Sequence, residues 1–457
     1  MNRKSASDHS TGTWFWKQPH LSRRVFFRHA ASAVGGYYLL PARPFESCAR
    51  AAVSPMATAR NCIFVLMSGG PSHVDTFDLK EGPWTPAGFE PESYGELRWP
   101  RGLLPTLAGQ LDSIALLRSA RAWAAVHDLA RNWTQIARNP TSAMARIAPH
   151  IGSVVSMELG GNSADRLLPA FVSLNTGAGG PGSGYFPPEQ APFFISPSGN
   201  GLGNTAHPAG AAAFERRYGL LRSLAGEHPE SDLGPAFEEM AQFNVSARKL
   251  MYNSAVDRIF VFNQEERARY GNNAFGNACI TARNLLKADL GTRFVQITVG
   301  GWDNHAGIYT GAFNAENANS LARRFDAGLG TLLADLKENG LLDQTLVVAL
   351  GEFGRTVGNP NQQAGRDHHL QQAVLFAGAR IRGSRAIGSS DSEGYDTAET
   401  GWARSRPVRA EDIAATIYSA MGINWTHIRR DDPLGRGFEY IPFADRDEYG
   451  PVHELWG

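Results

Sequence analysis

The sequence is poor in cysteine. Three residues in 457, Cys48, Cys62 and Cys279, leave no disulfide framework and no cysteine-based metal site. It also lacks net charge: 44 Lys and Arg balance 44 Asp and Glu. That balance excludes a nucleic-acid binder or a polybasic membrane-surface protein acting through bulk charge. Charged residues are 19% of the chain, against roughly 25% in an average soluble protein. No apolar run approaches the ~20 residues that a membrane span takes, so no stable span is expected. No Gly-x-Gly-x-x-Gly follows a strand and no redox cysteine pair exists, which argues against an oxidoreductase. What is present is a globular composition, 42% hydrophobic, with 49 glycines for tight turns and close approaches.

The sharpest local signal is Ser22-Arg23-Arg24-Val25-Phe26-Phe27-Arg28. An arginine pair, two aromatics and a further cation look like a twin-arginine export motif. The uncharged stretch Ala30 to Leu40 then fits a leader's apolar region, and Ala49, Ala51, Ala52, Ala57 and Ala59 supply a processing zone. Phe45-Glu46-Ser47 before Cys48 does not suit lipidation. The expectation is a leader and processing zone over 1–58, engagement of the twin-arginine translocase, and a periplasmic or extracellular protein.

The remainder, 59–457, reads as one large α/β domain. Cys62 to Met67 is apolar on both faces and stops at Ser68-Gly69-Gly70-Pro71, the pattern of a buried parallel strand. Ser113–Leu117, Arg293–Val299, Thr345–Leu350 and Ala373–Ala377 are further strand candidates. Between the third and fourth of these five, Leu321, Phe325, Leu329, Leu332 and Leu336 recur at helical spacing. Strand, helix, strand makes a crossover, so the sheet is at least partly parallel. Helices are also predicted over Ala236–Ile259, Ala278–Leu290 and Glu411–Met421. The segment 160–210, dense in Gly and Pro, reads as a loop-bearing insertion.

In parallel sheets ligands gather beyond the carboxyl ends of strands, and there the polar residues accumulate. Ser68, Ser72, His73, Asp75 and Asp78 follow the first strand. Gly300-Gly301-Trp302-Asp303-Asn304-His305 follows another, and Gly351-Glu352-Phe353-Gly354-Arg355-Thr356 a third. Arg366-Asp367-His368-His369 precedes the last. Each fragment alone fits a turn, a cap or an exposed ion pair. Together, aspartate and histidine at four such places match the ligand types of zinc or of a mixed-ligand divalent site.

These motifs carry a resemblance. Phe64 to Asp78, Gly301-Trp302-Asp303-Asn304-His305, Gly351 to Thr356, Gly365-Arg366-Asp367-His368, Arg382-Gly383 and Ile387-Gly388 resemble, in order, the twin-arginine-exported bacterial family known as domain of unknown function 1501. That family is considered similar in fold to the alkaline phosphatase and sulfatase superfamily. The resemblance implies an alkaline-phosphatase-like α/β fold, a central mostly parallel sheet with helices on both faces and divalent metal at its carboxyl end. It maps Asp303, His305 and His368 onto one metal position and Glu352 onto a second, with His73 and Asp75 near the first-strand ligand. The chain also departs from the pattern. Ser68-Gly69-Gly70 stands where the superfamily places an Asp, and Phe353 where a second imidazole is common. Ser119 and His127 are the only nucleophile-like residues in the region of the usual nucleophile. One metal, Zn or Ca/Mg, is therefore expected rather than two.

The resulting expectation is a metal-dependent hydrolase of phosphate or sulfate esters, acting on an anionic small molecule or polysaccharide. In that reading Asp303, His305 and His368 hold the cation, with Glu352 and Asp75 as further ligands. Arg355 or Arg366 clamps the ester, and His73 or His127 moves the proton. Attack by Ser119 is the weaker option. The rival expectation is an exported binding or scaffold protein that keeps the fold, with or without a metal.

Overall fold

Asn61–Met67 (β1) is buried along its whole length and occupies the middle of an eight-stranded sheet. The computed structural model describes residues 53–161, 166–177, 180–227 and 235–457. The arginine motif, the apolar stretch and Cys48 lie outside them. The other strands are Ile114–Arg121 (β2), Phe171–Leu174 (β3), Phe193–Ile195 (β4), Phe294–Val299 (β5), Thr345–Leu350 (β6), Gln371–Gly378 (β7) and Arg385–Ile387 (β8). Their order is β8-β2-β7-β6-β1-β5-β3-β4. β1 runs parallel to β5 and β6, β3 parallel to β5 and β4, and β8 parallel to β2. Only β7 is reversed, antiparallel to both β6 and β2. Its first residues therefore stand at the same end of the sheet as the carboxyl ends of its neighbours.

The helices that cover the sheet follow from periodic apolar faces. Ala274–Ala288 (α5) and Leu321–Glu338 (α6) each bury a stripe, in α6 the predicted Phe325, Leu329, Leu332 and Leu336. Ser320 caps α6 by accepting the amide of Arg323. Ala410–Ala420 (α7) is buried almost throughout. The helix predicted over Ala236–Ile259 is two, Pro235–Leu250 (α4) and Ser254–Phe260, because Tyr252 turns left-handed at φ 54° and Asn253 caps a new start. His127–Ile136 (α1), Ile151–Leu159 (α2) and Gly210–Glu227 (α3) were not anticipated.

Two segments carry more structure than their sequence suggests. The Gly/Pro-rich segment 160–210 supplies β3 and β4, which extend the central sheet. Phe171-Val172-Ser173-Leu174 is fully buried, but four residues are too short a run to outweigh the surrounding loop residues. At the other end, Met56 and Ala57 are bonded to the folded body. Met56 N donates to Ser419 Oγ at 3.1 Å and Ala57 N to Ser419 O at 2.9 Å. Cys62 and Cys279 are free and buried. Among the described residues no helix is long and apolar enough to cross a membrane.

Candidate metal centre

Five chain segments meet at the carboxyl end of the sheet. The turn after β1 brings Ser68 and Gly69 against the turn after β5. A β-carbon on Gly69 (φ 115°) would lie 2.5 Å from Asp303 N, so only glycine lets these backbones touch. Trp302, 1% exposed, packs on Phe313 and Phe325 and fixes that turn from below. Gly365 packs equally tightly on the backbone of His305. Beyond β6, Gly354–Arg355 pairs with His368–His369 in a short antiparallel ribbon, which leads directly into β7.

The side chains so delivered form one cluster. Asp303 Oδ1 lies 2.9 Å from His305 Nε2, 3.3 Å from His127 Nε2 and 3.4 Å from His368 Nε2. His305 Nε2 and His368 Nε2 are 3.0 Å apart. Ligand atoms of His127, Asp303 and His368 all fall within 4.8 Å of one another. Phe353 walls the cluster, its ring against those of His127 and His368.

The far nitrogen of each imidazole decides the chemistry. His127 Nδ1 faces Glu352 Oε1 at 2.9 Å, His305 Nδ1 faces Asp367 Oδ1 at 2.6 Å, and His368 Nδ1 faces the Ala125 carbonyl at 2.8 Å. Carboxylates and carbonyls only accept, so each Nδ1 carries the proton and donates. With Nε2 unprotonated, each ring presents a lone pair there, and the three lone pairs converge on a carboxylate oxygen, which is also an acceptor. Four such atoms at these distances need positive charge, from shared protons or a cation, among them. Arg355 supplies part of it, with Nη2 2.7 Å from Asp303 Oδ1 and Nη1 3.4 Å from His305 Nε2. His127 Nε2 is buried with no hydrogen-bond partner. Metal–nitrogen bonds of ~2.0–2.1 Å in a tetrahedral site separate ligand atoms by about 3.3 Å, close to the spacings found here. The residues present fit a divalent cation.

Electrostatics follow the same layout. Burial pushes the Asp303 carboxyl up, but the Arg355 guanidinium and the neighbouring imidazoles outweigh it and hold the group at about 2. The His305 hydrogen bond lowers Asp367. Glu352, 1% exposed, accepts the Gly69 amide at 2.9 Å as well as facing His127. It holds His127 in place, the kind of outer support that metal-binding imidazoles usually have. Its Oε2 is buried without a partner.

The structure does not bring every expected residue into this cluster. Asp75 and Arg366 pair with each other at 2.8 Å, both buried. Asp75 also takes the Tyr309 hydroxyl at 2.8 Å, and Arg366 donates to Thr356 O and Gly358 O. The buried Arg355 donates to the carbonyls of Gly69, Gly70 and Arg366 besides Asp303. Both guanidiniums are used within the fold and brace the turns that carry the cluster. His73 is buried, with Nε2 2.8 Å from Gly394 O, and burial lowers it to about 4. Ser119 is buried in β2 and donates to Thr400 O at 2.7 Å. Sequence reasoning missed the Ala125 carbonyl and gave Asp367 no role, although Asp367 stands beside His368 in the same motif.

A family model described as "Protein of unknown function (DUF1501)" matches residues 59–439. The chain belongs to that family. No curated protein matches it. Among solved structures, this DUF1501 chain is similar to a protein of the alkaline phosphatase superfamily from Vibrio parahaemolyticus, at 13% identity and TM-score 0.38 over 81% of this chain and 69% of that one. It is similar to the PsFucS1 sulfatase from Pseudoalteromonas sp., at 12% identity and TM-score 0.38 over 88% and 72%. It is also similar to alkaline phosphatase from the Antarctic bacterium TAB5, at 14% identity and TM-score 0.31 over 73% and 95%.

Proposed function

We propose that this DUF1501 protein is an exported, metal-dependent hydrolase of phosphate or sulfate esters. The observation that carries the reading is the convergence of three Nε2 lone pairs and Asp303 Oδ1, with every Nδ1 tied to an acceptor. Asp303, His127 and His368 would hold the cation, with His305 as a fourth donor. When bound, a divalent ion supplies Lewis acidity toward an ester oxygen and lowers the pKa of water toward ~7.

The chain's own residues prepare the site. Glu352, Asp367 and the Ala125 carbonyl fix ring tautomers and orientations. Arg355 orients Asp303 and keeps it ionised. Phe353 excludes water from one side, which strengthens the electrostatics inside. Asp303, His305 and His368 keep partial exposure, so an anionic ester can reach them from solvent. Ser119, turned into the sheet, is not placed to attack.

The test is purified protein loaded with Zn, Mn, Mg or Ca and assayed against aryl phosphate, phosphodiester and aryl sulfate. Metal-dependent turnover abolished in both Asp303→Ala and His368→Ala supports the reading; turnover unaffected by either overturns it.

One observation favours a second reading. Four protein donors are enough to close a tetrahedral site, the arrangement of structural metals, whereas catalytic sites keep a position open. A binding or scaffold protein with a structural metal would contain stoichiometric cation, lose stability on chelation and turn over none of the esters.

A further inference from the structure

β4 closes one end of the strand order and, among the described residues, pairs only with β3. The parallel register sets Phe193, Phe194 and Ile195 against Val172, Ser173 and Leu174, and Ile195 O accepts the Asn175 amide at 2.9 Å. In a parallel pair alternate residues turn their backbone groups toward the neighbouring strand. Phe193 and Ile195 therefore bond inward to β3, and the N–H and C=O of Phe194 point away from the sheet. Neither group has a hydrogen-bond partner among the described residues. The Phe194 side chain is 37% exposed.

α4 faces this edge across a cavity of about 410 Å³. Phe243, Ala247 and Leu250, at helical spacing, form one wall; Phe193 and Phe194 form the other, with Leu168 between them. Phe243 is 68% exposed. The lining is apolar, yet one side of it carries an unused donor and an unused acceptor. Leu168 precedes β3, so the cleft lies toward the amino ends of the edge strands and not at the carboxyl ends that carry the cluster.

These features select an occupant. An acyl chain would fill the volume but take the Phe194 N–H and C=O out of water with nothing to bond, which costs free energy. The edge strand of a second copy carries its own α4 alongside and is too broad for a cleft between a helix and a strand. An extended peptide meets both demands: its backbone bonds Phe194, and its side chains cover the apolar walls. Pro192 and Pro197 bracket β4 and cut the ladder short on either side, so the segment that docks is short.

We propose that the cleft between β4 and α4 binds a short extended segment of a partner protein, which adds a strand to the central sheet beyond β4. Every second side chain of that segment faces α4, and apolar residues there pack on Phe243 and Leu250. The interaction is independent of the metal cluster and of any hydrolysis.

The probe is a phage-displayed random dodecapeptide library, selected on the purified full chain and counter-selected on Ala247→Trp, a substitution that fills the cleft. The enriched peptide is then synthesised with and without N-methyl groups at alternate amides, in both registers. The expected peptides alternate apolar and polar residues and bind in the micromolar range by fluorescence polarisation. One methylated register should bind about tenfold more weakly or worse, and the peptide should slow hydrogen exchange at the Phe194 amide. Phe194→Pro removes the outward N–H and keeps the inward bonds of Phe193 and Ile195. It should retain the wild-type circular dichroism and lose about tenfold in affinity. The exchange measurement needs no variant and decides the matter if either substitution unfolds the chain. No enrichment on wild type, equal binding by both methylated registers, or unchanged exchange at Phe194 overturns the proposal. Binding of dodecanoate with no peptide enriched gives the cleft to an acyl ligand and overturns it as well.

Discussion

In the proposed metal site, Glu352 would act on the cation without touching it. Its carboxylate fixes the protonated nitrogen of His127 and is itself held by the Gly69 amide. Glu352→Gln is expected to weaken metal affinity by about 10–100-fold, the usual effect of losing such support, with the folded structure intact. Competition with a chelating dye reads this directly. Arg366 gives a contrasting result. It pairs with Asp75 at complete burial, and Arg366→Ala strands a carboxylate, so about 3–5 kcal/mol of stability should be lost, seen as a lower urea midpoint. Ser119→Ala removes one hydrogen bond inside the sheet, costing about 1 kcal/mol. Turnover should be unchanged, because Ser119 donates to Thr400 O on the sheet side.

At the scale of elements, the loop between β2 and α1 has to be held still, since it carries the Ala125 carbonyl and leads into His127 at the start of α1. Glu411 of α7 does this. Its two oxygens accept the indole N–H groups of Trp123 and Trp133 at 2.9 and 2.7 Å, and the Arg409 guanidinium lies 4.0 Å over the Trp123 ring. Glu411→Ala leaves two indole donors unmatched. We expect about 1–3 kcal/mol of destabilisation, a shift in tryptophan emission and weaker metal binding; an unchanged metal affinity would separate this clamp from the site. The elements were unequally legible from sequence. β1, β5, β6 and β7 are long apolar runs bounded by glycines or turns, and α6 has a clean helical stripe. β3 and β4 are three or four residues long, and α1 begins with His-Asp and lacks a continuous apolar face. The ligand types were legible because they follow strands. The pairing of Asp75 with Arg366 was not, since a buried ion pair and a metal ligand use the same residues.

For the whole molecule, acid is the informative variable. Burial lowers His73 to about 4 and His150 to about 3 from an ordinary 6.5. His150 Nδ1 caps α2 by accepting the Gly152 amide at 2.8 Å, which requires a neutral ring. Both groups bind protons more readily when unfolded. Their stabilisation is therefore complete above pH 6.5 and is lost as pH falls through about 4 for His73 and about 3 for His150. Each contributes roughly 3 kcal/mol or more over that window. Urea titrations from pH 7 to 4 should show a steady fall, flattened in His73→Asn.

The distant origin of the cluster has one more consequence. Its donors lie between His127 and His368, joined across sequence separations such as the 225 residues from His127 to Glu352 and the 63 from His305 to His368. No fragment made early in translation contains the set. A ribosome must pass β7 before the last imidazole can reach the others, so in the proposed metal-binding reading cation uptake would report that synthesis and folding of the domain are nearly complete. Nascent chains arrested before Gly365 should take up none.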